Sequence, residues 1–306
     1  MTEAPVRVDA RPTEVPAVEV RDVVRHYRRP RTSITRPGPV VEALRGVSLD
    51  IARGQRFGIV GESGCGKSTL LRIIAGLDQP TSGSVRVGGV EISRLPERRL
   101  GFLREQLQLV FQDPMGSLDP RMRVRDIIAE PLVAQGRRDN VARVHELLEA
   151  VGLQPEAADR YPHQFSGGQR QRISIARALA PDPRILVADE PVSALDVSVR
   201  AQVLNLLDEL VHRLSLTLVF VSHDLSVVRH VCDTVAVMSR GEIVETGPVD
   251  QVYDEPAHPY TRQLVAAAPR LQSALAGRTA AVLAAETLAA RTATDTPRPF
   301  SPEDHR

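Results

Sequence analysis

Apolar and polar positions change rhythm several times along this chain. Val18–Tyr27 alternates in part and predicts a strand. Val47–Ile51 and Arg56–Val60 predict two more strands, flanking an Ala-Arg-Gly-Gln turn. An apolar helix is expected over Ser68–Leu77, a β-hairpin over Gly83–Ile92 around Gly88-Gly89, and a short strand over Leu107–Phe111. From about Asp113 to Ala180 apolar residues recur at helical spacing, as in Val124–Val133 and Val141–Val151. Strand patterns return at Arg184–Ala188 and Thr217–Ser222, with a helix expected over Val199–Leu214 between them. Thr234–Glu245 reads as a late hairpin with an Arg-Gly turn. This order predicts an α/β core interrupted by helices at about 113–180. Three stretches have no such rhythm. Residues 1–16 read as a flexible lead, Arg28–Pro39 as an exposed loop, and the chain beyond about Val249 as irregular. Ala-rich Leu271–Ala293 is expected to form one helix, and Thr294–Arg306 a disordered tail.

Composition narrows the possibilities. The 306 residues are 42% hydrophobic and 25% charged, as in an ordinary globular protein. A net charge of +1 supplies no global field for nucleic acid or an anionic membrane. The longest strongly apolar run, near Leu216–Val221, is far short of a membrane span. The first residues lack the apolar core of a signal peptide. Together these predict a protein that stays in the cytoplasm. Cys65 and Cys232 are expected to be two reduced thiols, since two cysteines cannot form a four-thiolate metal site. Of 39 basic residues only Lys67 is lysine. A compact ammonium on a flexible stem is thus kept at one place, and that place carries chemistry.

Gly61-Glu62-Ser63-Gly64-Cys65-Gly66-Lys67-Ser68-Thr69 fits G-x-x-x-x-G-K-[ST] between a predicted strand and helix. In such a loop backbone N–H groups curl around phosphate oxygens, and the helix start adds its positive dipole end. Lys67 is expected on the β- and γ-phosphates and Ser68 on Mg2+. Ile185–Ala188 then runs as an apolar strand into Asp189-Glu190-Pro191. Ligands of α/β sheets bind at carboxyl strand ends. Asp189 is therefore expected in the Mg2+ shell, and Glu190 as the general base for the attacking water. Phe165-Ser166-Gly167-Gly168-Gln169 opens another helix with a second set of exposed N–H donors. A single ATP needs only one phosphate cradle, so the second fits an ATP held by a partner.

With these motifs in this order the chain resembles the ABC ATPase family over roughly residues 18–270. The family's signature is Leu-Ser-Gly-Gly-Gln, and Phe165 stands here in place of its first Leu. The resemblance implies an α/β P-loop NTPase (RecA-like) core with a β-hairpin subdomain, an inserted helical signature subdomain and a short C-terminal extension. It implies an ABC ATPase domain over 17–254 and a C-terminal module over 255–293. It also assigns roles. Tyr27 matches the aromatic that stacks on adenine; a strand-end core tyrosine is the alternative. Gln112 matches the glutamine that senses Mg2+ and water, and Asp196, in Ser193-Ala-Leu-Asp, the loop that touches the opposite subunit. His223, 33 residues after Glu190, matches the histidine on the γ-phosphate.

Two further segments resemble the oligopeptide/dipeptide importer branch: Gln112-Asp-Pro-Met-Gly-Ser-Leu-Asp-Pro-Arg121 and Tyr253–Leu264, with its His258-Pro259-Tyr260-Thr261 run. The four-cysteine cluster of some relatives is absent. The resemblance implies ATP and Mg2+ as ligands and a second ABC ATPase subunit, identical or homologous. It also implies two membrane permease subunits, an indirect extracytoplasmic solute-binding protein, no nucleic-acid partner, and a place on the cytoplasmic face of the cell membrane. Other solutes, such as nickel or glutathione, stay open within this branch. A soluble ABC ATPase working on DNA or ribosomes predicts a long coiled coil or tandem cassettes, and neither occurs. A generic P-loop kinase or GTPase leaves Ser166–Gln169 and His223 without a task.

Overall fold

The computed structural model describes residues 15–28, 40–137 and 140–267. The lead at 1–14, most of the 28–39 loop and everything predicted beyond 267 lie outside these. The described residues up to Ala266 form one unit.

Two sheets organise this unit. The first is antiparallel, in the order β2-β1-β4-β5, built from β1 (Val18–Arg28), β2 (Val40–Ile51), β4 (Ser82–Val87) and β5 (Val90–Glu91). The β4–β5 hairpin turns at Gly88-Gly89, as the sequence predicts. β2 is longer than the predicted Val47–Ile51. Its added residues, Val40–Gly46, pair with β1 through register shifts that break the alternation.

The second sheet has the order β10-β9-β3-β8-β7-β6. It comprises β3 (Arg56–Val60), β6 (Leu107–Val110), β7 (Ile185–Asp189), β8 (Thr217–Ser222), β9 (Thr234–Ser239) and β10 (Glu242–Pro248). The pairs from β9 through β3, β8 and β7 to β6 are parallel, and β10 is antiparallel to β9. Both faces of this sheet are covered. Leu186, Ala188, Leu218 and Phe220 point into one apolar cluster, and Ile185, Val187, Val219 and Val221 into the other. Two-sided burial is why these strands read as unbroken apolar runs.

Helix α1 (Lys67–Ile74) and the antiparallel sheet pack on one face, with α2 (Gly101–Gln106) beside them. Between β6 and β7 the elements are helical: α3 (Pro114–Ser117), α4 (Val124–Ala134), α5 (Val141–Ala150) and α6 (Gly167–Leu179), joined by short 3-10 turns. These and α7 (Val197–Arg213) cover the other face. Two expectations need correction. The chain after Val249 is not irregular as far as it is described, because α9 (Val249–Asp254) and α10 (Pro259–Ala267) follow β10. A short helix, α8 (Leu225–Val231), also lies where the sequence suggests nothing. Helices of six to nine residues give too few turns for a period to declare itself.

Candidate active site

The site forms where three neighbouring parallel strands end. β3 runs into the Gly61–Thr69 loop, β7 ends on Asp189, and β8, between them, ends just before His223. The register sets Val60 opposite Ser222 and Asp189 opposite Val221, so the three ends are level. This is the carboxyl edge at which parallel sheets bind ligands.

The loop closes tightly on the rest of the fold. Gly66 caps α1 at φ 114°, in the left-handed region, and a Cβ there would lie 2.5 Å from the Ala43 carbonyl oxygen. Only glycine meets both demands. No side chain caps α1. Its first-turn N–H groups are therefore donors awaiting an acceptor. Lys67 is 4% exposed, and its Nζ donates to Gly61 O at 2.7 Å and Glu62 O at 3.0 Å. The ammonium thus rests on the loop's own carbonyls, and 4.0 Å from a Glu190 oxygen.

Ser68 Oγ and Asp189 Oδ1 face each other at 3.5 Å. Burial pushes the Asp189 carboxyl above its ordinary range, against the Ser68 hydrogen bond. A half-buried carboxylate beside an exposed hydroxyl is a pair of hard oxygen donors, a chemistry that fits Mg2+. Glu190 follows in a left-handed backbone, φ 45°, held by its N–H to Val221 O at 3.0 Å and by the Ser193 hydroxyl on its carbonyl. Strained backbone of this kind gathers at functional positions. One Glu190 carboxylate oxygen lies 3.0 Å from His223 Nδ1. Lys67, Ser68, Asp189, Glu190 and His223 are thereby brought into one cluster.

The other predicted residues sit elsewhere. Gln112 is exposed on the loop after β6, and among the described residues no hydrogen bond joins it to Ser68 or Asp189. Tyr27 is half-buried near the end of β1. Its hydroxyl donates to Asp78 at 2.6 Å and Arg25 covers its ring at 4.6 Å. Asp196 caps α7, accepting from the N–H groups of Ser198 and Val199. Ser166 caps α6 and Gln169 returns the bond, Ser166 and Gly167 being exposed. No hydrogen bond among the described residues connects Ser166–Gln169 to the phosphate loop. Both cysteines are buried free thiols. Local patterns missed Asp78, 51 residues from Tyr27, and Tyr260 of α10, which touches the loop at Glu62 from 198 positions away.

A two-sided α/β core, a phosphate loop after a central strand and paired acids at the end of another define a P-loop nucleoside triphosphatase. A family model described as ABC transporter matches residues 44–193. A second, described as oligopeptide/dipeptide transporter, C-terminal region, matches 244–293. The oligopeptide transport ATP-binding protein OppF of Bacillus subtilis is 48% identical over 257 residues, covering 82% of each chain. The chain belongs to the ABC transporter family. The dipeptide transport ATP-binding protein DppF of Escherichia coli is 47% identical over 259 residues, 84% of this chain and 77% of that one. Among solved structures, the post-hydrolysis dimer of the ATP-binding cassette MJ0796 bound to ADP and phosphate is 32% identical. It matches at a TM-score of 0.66 over 76% of this chain and 98% of that chain.

Proposed function

We propose that this chain is the ATP-hydrolysing subunit of an importer for oligopeptides or dipeptides, seated on the cytoplasmic face of the membrane beside two permease subunits. The observation that carries the reading is the pair of helix starts. One adjoins Lys67, Asp189 and Glu190, and the other has no hydrogen bond to them within the described residues. Two such subunits meet head to tail, and each ATP lies between one phosphate loop and the other subunit's Ser166–Gln169.

The loop N–H groups and Lys67 hold the triphosphate. Ser68 and Asp189 would hold Mg2+, which would offset phosphate charge, and Gln112 would be a further oxygen donor near that ion. Glu190 takes a proton from the attacking water, whose oxygen bonds to the γ-phosphorus as the bond to the ADP oxygen breaks, and His223, 3.0 Å from the Glu190 carboxylate, contacts the γ-phosphate. Tyr27 supplies the adenine contact with the ring face opposite Arg25. Closure passes through Gln112–Arg121 to the permeases, and hydrolysis reopens the pair. Peptide cargo is supported by the C-terminal family match and by the relatives' names.

The test is a mixed pair. One copy carries an intact phosphate loop and Ser166–Gly168 replaced; the other carries Lys67→Ala and an intact signature. Only the first copy's loop and the second copy's signature survive, so one site in two should hydrolyse ATP. Full, membrane-stimulated hydrolysis by an isolated monomer with Ser166–Gly168 replaced overturns the reading.

A further inference from the structure

The C-terminal element reaches back to the nucleotide loop. The Tyr260 hydroxyl oxygen, in the first turn of α10, accepts a hydrogen bond from the Glu62 N–H at 2.9 Å. That N–H belongs to the peptide group joining Gly61 and Glu62. The carbonyl of the same group, Gly61 O, accepts from Lys67 Nζ at 2.7 Å. One amide is therefore held at both ends, by a phenol on its N–H and by the ammonium on its C=O. An amide is planar, so neither end turns without the other.

Tyr260 is itself well anchored. Its N–H donates to His258 Nδ1 at 3.2 Å. The N–H groups of Ala257 and His258 both donate to the Glu245 carboxylate at 2.9 Å, and Glu245 lies on β10 at the edge of the core sheet. The ring packs against the apolar cluster of the helical face. Burial pushes the phenol pKa up. The oxygen therefore accepts as a neutral hydroxyl and sets no negative charge beside a triphosphate.

We propose that Tyr260 is a positioning residue for Lys67, acting through the Gly61–Glu62 peptide, so that the seating of α10 sets the affinity of the phosphate loop for ATP. The inference rests on the phosphate role assigned to Lys67. Without the hydroxyl the amide keeps only its carbonyl bond to Lys67, and the rest from which the ammonium meets phosphate is less fixed. One neutral hydrogen bond corresponds to a change of about 3- to 10-fold in a binding constant.

The experiment compares wild type, Tyr260→Phe, Lys67→Ala and the double variant in the full chain, by equilibrium ATP binding, hydrolysis kinetics in the assembled transporter and thermal unfolding. Tyr260→Phe is expected to raise the Kd and KM for ATP about 3- to 10-fold, with kcat and Tm little changed. Glu245→Ala, which unseats the same element, is expected to move Kd in the same direction. Adding Tyr260→Phe to Lys67→Ala is expected to change affinity no further. Unchanged Kd in Tyr260→Phe while Lys67→Ala loses ATP overturns the proposal and leaves the phosphate site standing. A fall in Tm with Kd unmoved, or a loss that simply adds to that of Lys67→Ala, overturns it as well. Wild-type ATP affinity in Lys67→Ala sinks the phosphate-loop reading itself.

Discussion

The helix after the phosphate loop and the helix after Ser166 both have glycine at or beside their first residue, yet they satisfy their first turns differently. α1 begins at a left-handed Gly66 with no side-chain cap. α6 begins at Ser166, whose hydroxyl accepts from Gln169 N–H at 3.3 Å while Gln169 Oε1 accepts from Ser166 N–H at 3.0 Å. That reciprocal box settles two of the donors a helix start otherwise leaves open. The start of α1 thus calls for an anion even in a lone chain, while the start of α6 is content until a ligand is carried to it. The supports differ too. Lys67 is buried and its ammonium is held by two loop carbonyls, whereas Ser166 and Gly167 face outward. One start is uncapped and adjoins a buried lysine, and the other is capped and exposed.

The largest effect that separates the two lies at Glu190. Glu190→Gln is expected to slow hydrolysis in the assembled transporter by at least about a hundredfold while ATP stays bound, read as phosphate release against equilibrium binding. Next come the helix starts themselves. Lys67→Ala should weaken ATP binding by the isolated chain about tenfold or more, whereas Ser166→Ala should leave that affinity unchanged and reduce only hydrolysis by the assembled pair. Equal losses in the isolated chain break the comparison.

Packing sharpens it further. A Cβ on Gly168 would lie 2.2 Å from Val199 Cγ1, and one on Gly167 no nearer than 3.5 Å to Leu195 Cδ2. Gly168→Ala should therefore destabilise the fold by about 1–3 kcal/mol as α6 and α7 are forced apart. Gly167→Ala should leave Tm unchanged, so any hydrolysis it loses in the pair reports the counterpart.

The smallest effect on stability is at Asp189. Burial raises its folded pKa above the unfolded value, so its contribution to stability is complete below the unfolded pKa and is lost as pH rises through the folded one. Asp189→Asn should melt about 1 °C higher than wild type at neutral pH, with the gap closing in acid, while Mg2+-dependent hydrolysis is lost. A gap that widens in acid contradicts the assigned direction.

Much of this was legible because it is local. The phosphate loop, the acidic end of β7 and the Ser166–Gln169 start each lie within nine consecutive residues, and their glycines and acids follow from backbone demands at that point. The strands of the core read correctly since two-sided burial makes each an unbroken apolar run. What the sequence hid is what the chain assembles from afar or in pieces too short to show a period. Helices α8, α9 and α10 fall in the second class. The first class holds Tyr27 on Asp78 and Tyr260 on Glu62.

The strand order carries a consequence for how the protein is made. β3, which delivers the phosphate loop, ends at Val60, but both strands that flank it, β8 and β9, begin at Thr217 and Thr234. On the ribosome, all of residues 61–216 must emerge before either edge of β3 has a mate. Such long-range parallel pairing closes slowly and leaves sticky edges bare meanwhile. The nucleotide pocket therefore cannot take shape until β8 and β9 have been made, long after the phosphate loop itself.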